Sequence, residues 1–542
     1  MTSPSPARSR TSLRRTESEG PRLGSVRSLG GDPPGSADNH MMGRTHHLAD
    51  ATGQPAGGVA VPGAYIAPGA YIAPGALASQ RPEPQVRATR VGPPRVIAFL
   101  VVAMLLAAGS YIAPVIRDAV FGPSVAPPSK SVLALPGEAT SPDGGLPTAE
   151  RIAFWTKRVS EQPADDLSWL QLAALYSQQG RLHVDLDAYA RALDAANHAL
   201  AIAPKYPPSL AVRASILFAT HDFAGAEAGA RAALVNNPRD PSARAILGDA
   251  LLELGRAADA AAEYDAIADV AGGPSLDIRR ARLAYVTGHA DDALALARKA
   301  LEGASGGLDT ASATSDPVEL AFYQAALGEY ARLSGDAATA DVAFRAALVL
   351  RPDDLASRIG LARVSAAAGD LGSAIRLLDE AAAIAPLPEI EALLGDLHTL
   401  RSEGAAADAA YGTVRLTAQL SELAGTVFDR QLVLFDLDHG SASAAVLTRA
   451  RAAFATRPDA VGRDVVGWAL HRLGREDEAW AASEAARATG IVDARILFHA
   501  GAIAVARGDA ATGAALLEQA LELGPALDPL DRAEAEALLG RR

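Results

Sequence analysis

The sequence of 542 residues contains no cysteine and few aromatic side chains. Without cysteine the chain can form no disulfide, no thiolate metal site and no cysteine nucleophile, on either side of a membrane. Only 5% of the residues are aromatic although 49% are hydrophobic, so the large rings that fill most globular cores are scarce. Alanine must fill the interior instead, and small side chains suit helices that approach closely. The composition therefore favours an all-α fold.

The sequence also lacks the motifs of common catalytic sites. It has no Gly-Lys-Ser/Thr phosphate loop and no His-Glu-x-x-His pair. The stretch from Gly303 to Gly307 fits the Gly-x-Ser-x-Gly pattern, but it lies in a Ser/Gly-rich insertion and not between a strand and a helix. We therefore predict that the chain is not an enzyme and that it binds no cofactor and no metal.

Positive charge is concentrated near the N-terminus. Residues 1–95 carry 11 Arg and 6 Asp or Glu, whereas the rest of the chain carries 39 basic and 57 acidic side chains. An acidic surface repels phosphate backbones, and this part of the sequence shows no basic stripe interleaved with aromatic residues. Nucleic acid is therefore not an expected partner.

Three segments precede the part of the chain that is expected to fold. Residues 1–94 are rich in Arg, Ser, Pro and Gly without apolar periodicity, which predicts a disordered arm. Within residues 95–117, an uncharged run begins at Val96 and ends at Ile116; as a helix it would be ~30 Å long, enough to cross a bilayer. Residues 118–147 are Pro-rich, as in extended linkers. The sequence predicts a single membrane span between a disordered arm and a linker.

Basic residues indicate how this span is oriented. Four arginines precede it, and two basic residues follow it within a comparable distance: Arg81, Arg87, Arg90 and Arg95, then Arg117 and Lys130. The positive-inside rule then predicts a cell-membrane protein with a cytoplasmic N-terminus and an extracytoplasmic remainder. If translation starts further downstream, the same run would be a cleavable signal peptide, which also exports the remainder.

Prolines and glycines recur at a fixed interval in the remainder. The intervals are 34 residues between Pro204 and Pro238, Pro352 and Pro386, Gly335 and Gly369, Gly440 and Gly474, and Gly474 and Gly508. This is the period of the tetratricopeptide repeat, a pair of helices joined by a turn. Glycine supplies the positive φ of the turn, and proline follows the second helix and ends it.

The residues between these markers resemble the tetratricopeptide repeat (TPR) family. Residues 169–176 have the sequence Trp-Leu-Gln-Leu-Ala-Ala-Leu-Tyr, which is similar to the opening of a TPR with Ala173 in place of the usual glycine. The second half resembles bacterial TPR proteins that have no assigned activity. A small residue opens the second helix in eight copies, namely Ala192, Ala226, Ala260, Ala293, Ala340, Ala374, Ala407 and Ala479.

The resemblance implies an all-α TPR α-solenoid, a right-handed superhelix of about ten helix hairpins, over residues 148–540. Its spacing is irregular around residues 394–458, and a capping helix is expected at residues 528–539. In TPR proteins the first helices of successive hairpins line a groove that binds a peptide or a partner helix. The resemblance implies that this groove contains Ser215, Phe218, Asp249, Arg282, Tyr285, Glu329, Arg332, Arg363 and Asp396.

These features predict a membrane-anchored scaffold that binds a protein partner through the groove, and TPR proteins of bacterial envelopes commonly serve assembly. Two alternatives remain open. Asp436, Asp438 and His439 offer ligands for a metal-dependent enzyme or its regulatory subunit, although residues two apart on a helix point away from each other. The other alternative is a cytoplasmic signalling adaptor with the inverted topology.

Overall fold

The computed structural model describes residues 147–306, 316–423, 429–440 and 442–541. Over these ranges the chain forms 22 α-helices and a short 3-10 helix, Gly524–Ala526, and no β-strand. The helices are α1 (Thr148–Glu161), α2 (Asp166–His183), α3 (Leu186–Ile202), α4 (Pro207–Ala219), α5 (Phe223–Asn236), α6 (Pro241–Glu253), α7 (Ala257–Asp265), α8 (Pro274–Val286), α9 (Ala290–Ala304), α10 (Pro317–Leu333), α11 (Ala337–Leu350), α12 (Leu355–Ala367), α13 (Leu371–Ile384), α14 (Pro388–Leu400), α15 (Gly404–Leu423), α16 (Asp429–His439), α17 (Ala444–Thr456), α18 (Ala460–His471), α19 (Glu476–Arg487), α20 (Ala494–Ala506), α21 (Ala510–Glu522) and α22 (Pro529–Leu538).

The predicted arm and membrane span, and the predicted linker apart from Pro147, lie outside the described residues. Among the helices that the structure does describe, none has both the length and the apolar character needed to cross a membrane. The membrane span from Val96 to Ile116 therefore stays a prediction.

Helices α2 to α21 follow one another as ten hairpins, numbered 1 to 10 from α2/α3 to α20/α21, and the two helices of each hairpin pack together. The first helix of each hairpin is even-numbered and the second odd-numbered. Helix α1 packs on α2 before the first hairpin, and α22 follows the last one. The prediction of an all-α array of repeated helix hairpins is confirmed.

Alanine lines the crossing of the two helices within a hairpin. All eight alanines that the sequence analysis placed at the start of second helices are buried. A ring of the second helix fills the space left by a glycine of the first: a Cβ atom on Gly248 would lie 2.4 Å from the ring of Tyr264, and one on Gly328 would lie 2.7 Å from Phe344. Small residues are thus required at these positions because real side chains do not approach so closely.

Aspartate begins many of the helices. In eleven of the described helices the side chain of a preceding aspartate accepts a hydrogen bond from a backbone N–H of the first turn, as Asp222 does from Gly225 at 2.8 Å. Such caps satisfy N–H groups that have no partner within the helix. Part of the acidic excess of the sequence is therefore structural.

Hairpins 3, 4 and 5 contact the segments that follow hairpins 8, 9 and 10. A Cβ atom on Gly255, in the turn of hairpin 3, would lie 2.6 Å from the carbonyl oxygen of Pro458. In the turn of hairpin 4, one on Gly288 would lie 2.1 Å from the carbonyl oxygen of Gly490. In the turn of hairpin 5, a Cβ atom on Gly335 would lie 3.5 Å from the backbone of Leu523, an ordinary contact. These three contacts advance by one hairpin at a time on both sides, so the two parts of the array pack in register.

Candidate functional site

The first helices of hairpins 3 to 7 line a cavity of about 610 Å³. Its remaining lining comes from the turns of hairpins 3 and 4 and the start of α7, from α16, from the segments before α18 and α20 and the first residues of those helices, and from the segment before α22. Five of the nine predicted groove residues lie here, namely Arg282, Tyr285, Arg332, Arg363 and Asp396. The structure thus brings together five residues that are spread over more than a hundred positions of the sequence.

The other four predicted groove residues do not line this cavity. Ser215 donates a hydrogen bond to the carbonyl oxygen of Val212 in its own helix, and the ring of Phe218 packs edge to face on Phe223. Asp249 accepts hydrogen bonds from Tyr264 and Arg279, and Glu329 accepts them from Arg332. The nine residues therefore do not form one continuous surface.

Distant parts of the same chain bind the predicted groove residues. The Tyr285 hydroxyl donates a hydrogen bond to Asp493 at 2.8 Å, and Arg332 donates one to the carbonyl oxygen of Pro525 at 2.9 Å. Arg363 binds Asp528 at 2.7 Å. The partners come from the segment before α20 and from the segment just before α22. Side chains that were expected to receive a foreign segment here hold the C-terminal part of the chain itself.

Asp528 lies between two arginines. It accepts hydrogen bonds from Arg363 of α12 and from Arg495 of α20, and Arg363 also binds Glu389 at 2.9 Å. Burial alone would raise the pKa of the Asp528 carboxyl, but the positive charges of Arg363 and Arg495 outweigh burial and lower this pKa below its usual range. Asp528 is therefore an ionised carboxylate. We call Arg332, Arg363 and Arg495 the arginine face.

Asp531 lies one helical turn after Asp528 and also contacts Arg495, at 3.4 Å. Burial raises the pKa of the Asp531 carboxyl to about 7; Arg495 acts against this rise, and the negative charges of Asp438 and Asp528 add to it. The carboxyl groups of Asp528 and Asp531 thus have opposite environments, because Asp528 binds two arginines, whereas Asp531 contacts one arginine and has two acidic neighbours.

A buried polar cluster joins α18 to α20 beside α22. His499 and Asp464 are 1% and 2% exposed and share a hydrogen bond of 2.7 Å. Burial would lower the pKa of His499, but Asp464 outweighs burial and raises it. The imidazole stacks on Trp468 with ring centroids 4.1 Å apart, and the Trp468 indole donates a hydrogen bond to Asp438 at 2.8 Å. The cluster fixes α20, and with it Arg495, in position.

The residues of the proposed metal site point to different partners. Asp436 binds Arg449 at 2.5 Å, and Asp438 accepts the hydrogen bond from Trp468. His439 contacts Asp396 at 3.2 Å and stacks on Tyr411. In the part of the chain that the structure describes, no three potential ligands converge as a metal site requires. The geometry gives no support to the metal-dependent alternative.

Sequence reasoning missed Glu389, Asp493, Arg495 and Asp528, which complete the charged lining of the cavity. Asp528 precedes a proline, a pattern that indicates only the start of a helix. Its contact with Arg363 spans 165 residues, and that of Tyr285 with Asp493 spans 208. Local sequence patterns carry no signal at such distances, so only the folded array could reveal these pairs.

No protein-family model matches this chain, and no characterised protein matches it by sequence. Solved structures that it resembles include the human IFIT1 dimer with PPP-AAAA, at 16% identity and a TM-score of 0.38, with 58% of this chain and 72% of that chain covered. The APC/C hetero-tetramer Cut9–Hcn1 has 14% identity and a TM-score of 0.27, with 72% of this chain and 93% of that chain covered. Yeast Tom70 also has 14% identity and a TM-score of 0.27, with 68% of this chain and 96% of that chain covered. These values are too low to support more than a general likeness among arrays of helix hairpins. The period, the alanines at the helix crossings and the ten hairpins of this chain show that its repeat is of the tetratricopeptide type.

Proposed function

We propose that this protein is a membrane-anchored TPR scaffold that binds a protein partner beside the membrane, as an assembly or complex-organising factor of a bacterial envelope. The observation that carries the proposal is the cavity, since charged and aromatic side chains from the first helices of four successive hairpins, 4 to 7, line it. Such a surface suits a polar segment of a partner protein. In this proposal the ten hairpins form the right-handed superhelix that is usual for TPR arrays.

The membrane part of the proposal is supported by the sequence. The uncharged run from Val96 to Ile116 is long enough to cross a bilayer, and the arginines before it favour a cytoplasmic N-terminus. A reporter that is active only outside the cytoplasm, fused after Arg542, should be active. Extraction of membranes at alkaline pH should leave the chain in the pellet. An inactive reporter on a membrane-bound chain would favour the cytoplasmic adaptor with inverted topology.

Site-specific photo-crosslinking in cells tests the partner. A photoreactive residue replaces Arg256, which lines the cavity and is partly exposed, or Val349 of α11, which is 81% exposed and lies elsewhere. We expect one protein to be captured repeatedly from position 256 and not from position 349. Capture should be lost when Arg282→Glu is added in the cavity and kept when Arg345→Glu is added on α11. No reproducible capture from position 256 would contradict the proposal.

A further inference from the structure

The C-terminal segment, residues 523–541, lies on first helices of hairpins in the middle of the array. Its 3-10 helix contacts α10 and α12, and α22 contacts α12 and α14 as well as α20 and α21 of the last hairpin. A helix that only covered the end of the array would touch the last hairpin alone. The C-terminal segment instead packs on these first helices where the predicted groove residues Arg332 and Arg363 lie.

The contacts of this segment are those of a bound peptide. Arg332 holds a backbone carbonyl oxygen, that of Pro525, and Leu527 is buried among apolar residues of the last hairpins. The arginine face then binds the carboxylate of Asp528, at the start of α22. The recognised pattern is a buried leucine followed directly by an aspartate that begins a helix.

The rest of α22 contributes little to holding the segment in place. Among its ten residues only Pro529 and Ala535 are buried, and Leu538 is 39% exposed. The attachment therefore depends mainly on Leu527, on the Pro525 carbonyl group that Arg332 binds, and on the Asp528 carboxylate that Arg363 and Arg495 bind. A short terminal helix held by so few groups can leave its site without disrupting any hairpin.

We propose that the C-terminal segment is a built-in occupant of the partner site, and that the partner protein presents the same chemistry: an apolar residue followed by a carboxylate at the start of a helix. The partner segment displaces α22 and binds the arginine face through its own carboxylate. This inference rests on the proposed function and adds to it the class of segment that is recognised. Binding of the partner and docking of α22 exclude each other, because both need the position between Arg363 and Arg495 that the Asp528 carboxylate occupies.

A peptide with the sequence of residues 523–541, labelled with a fluorophore, is the probe, and fluorescence anisotropy measures its affinity for the full-length chain. The unmodified chain should bind the peptide weakly, because its own segment occupies the site. Asp528→Asn in the chain weakens that occupant and leaves the arginines intact, so the peptide should bind about tenfold or more tightly. Leu527→Ala, which weakens the apolar contact instead, should act in the same direction.

Three controls make the result specific. The peptide that itself carries Asp528→Asn should lose most of its affinity, and Arg363→Gln added to the Asp528→Asn chain should cancel the gain. Arg345→Gln, which removes a pair with Asp341 on α11 away from the segment, should change nothing. Circular dichroism checks that each variant remains helical.

Equal peptide affinity for the unmodified, Asp528→Asn and Leu527→Ala chains would overturn the inference, as would equal binding of the two peptides. Self-association of the Asp528→Asn chain without peptide binding would also overturn it. If the peptide does not bind but crosslinking from position 256 still captures a partner, the inference fails and the proposed function stands. Peptide binding without any captured partner would count against the proposed function alone.

Discussion

The turn glycines allow a sharp test of the packing between hairpins 3 to 5 and hairpins 8 to 10. Gly288 and Gly369 occupy equivalent turns and both have positive φ, 88° and 82°. Any other residue is strained there by about 1–2 kcal/mol. They differ in their surroundings: a Cβ atom on Gly288 would lie 2.1 Å from the carbonyl oxygen of Gly490, whereas one on Gly369 would meet no atom within 4 Å. The pair separates backbone strain from contact.

We therefore expect Gly369→Ala to lower the free energy of unfolding by about 1–2 kcal/mol, the strain alone. Gly288→Ala adds a collision between the new Cβ atom and the main chain of Gly490, which the chain can relieve only by moving the two turns apart. That movement breaks the neighbouring hydrogen bond from Tyr285 to Asp493, and a hydrogen bond to a charged group contributes about 1.5–3 kcal/mol. Gly288→Ala should thus cost about 2 kcal/mol more than Gly369→Ala.

Urea unfolding followed by circular dichroism measures the two costs. The movement itself can be measured with spin labels on cysteines introduced at Asp291 and Ala488, exposed positions close to the two turns in a chain without native cysteines. The distance between the labels should increase or broaden in Gly288→Ala and stay unchanged in Gly369→Ala. Equal destabilisation by both substitutions, with an unchanged label distance, would refute the reasoning.

Three further predictions concern the buried charges. Arg363→Gln leaves Asp528 and Glu389 buried near each other and should lower the free energy of unfolding by about 3–5 kcal/mol, whereas Arg345→Gln on the surface should change it by less than about 1 kcal/mol; urea unfolding measures both. Asp464→Asn should cost about 1.5–3 kcal/mol by the same measurement, since it weakens the buried hydrogen bond to His499, and the exposed Asp341→Asn should cost far less. The third prediction concerns pH. The raised pKa of Asp531 in the folded chain means that docking of α22 favours the protonated carboxyl group. The stability that Asp531 gives to the docked helix is therefore greatest below about pH 4 and is lost as the pH rises towards about 7. Hydrogen exchange of the α22 amides should therefore become faster, after correction for the intrinsic rate, between pH 5 and pH 8, and Asp531→Asn should remove this dependence; an unchanged profile in Asp531→Asn would contradict the assignment.

The helices and their pairing into hairpins could be predicted because their signals are local. A small residue at the crossing, a glycine in the turn and a proline after the second helix all lie within one repeat of 34 residues. Ala260, for example, is buried as the repeat pattern predicts, because only a small side chain fits where the two helices of a hairpin cross. The structure adds what fills the remaining space, such as the Tyr264 ring against Gly248.

The site could be predicted only in part. Arg332 and Arg363 were correctly placed on first helices, and the structure brings them to one cavity. Their partners lie 165 to 193 residues away, at the end of the chain. Which hairpin meets which depends on small rotations that accumulate over several repeats. No single repeat determines the total rotation between distant hairpins. The sequence could therefore not show that the groove residues bind the chain's own C-terminal segment.

The same accumulation explains why a turn glycine can have two roles. Gly288 and Gly369 both supply positive φ, but of the two only Gly288 also lets another main chain approach, because the turn of hairpin 4 meets the segment after hairpin 9. Sequence alone therefore identifies the turn but not the contact. Substitutions at such glycines distinguish local strain from long-range packing more cleanly than core substitutions, which change both.

The occupied arginine face also determines how binding strength should be interpreted. If docking of α22 is favourable by about 2.7 kcal/mol, only about one chain in a hundred is open, and a partner segment binds about a hundredfold more weakly than the open site would allow. Affinity then depends on Asp528 and Leu527, which the partner does not touch, as much as on Arg363, which it does. A substitution in α22 that strengthens partner binding, beside one in α12 that weakens it, is the pattern that a built-in occupant requires and that a merely structural terminal helix would not produce.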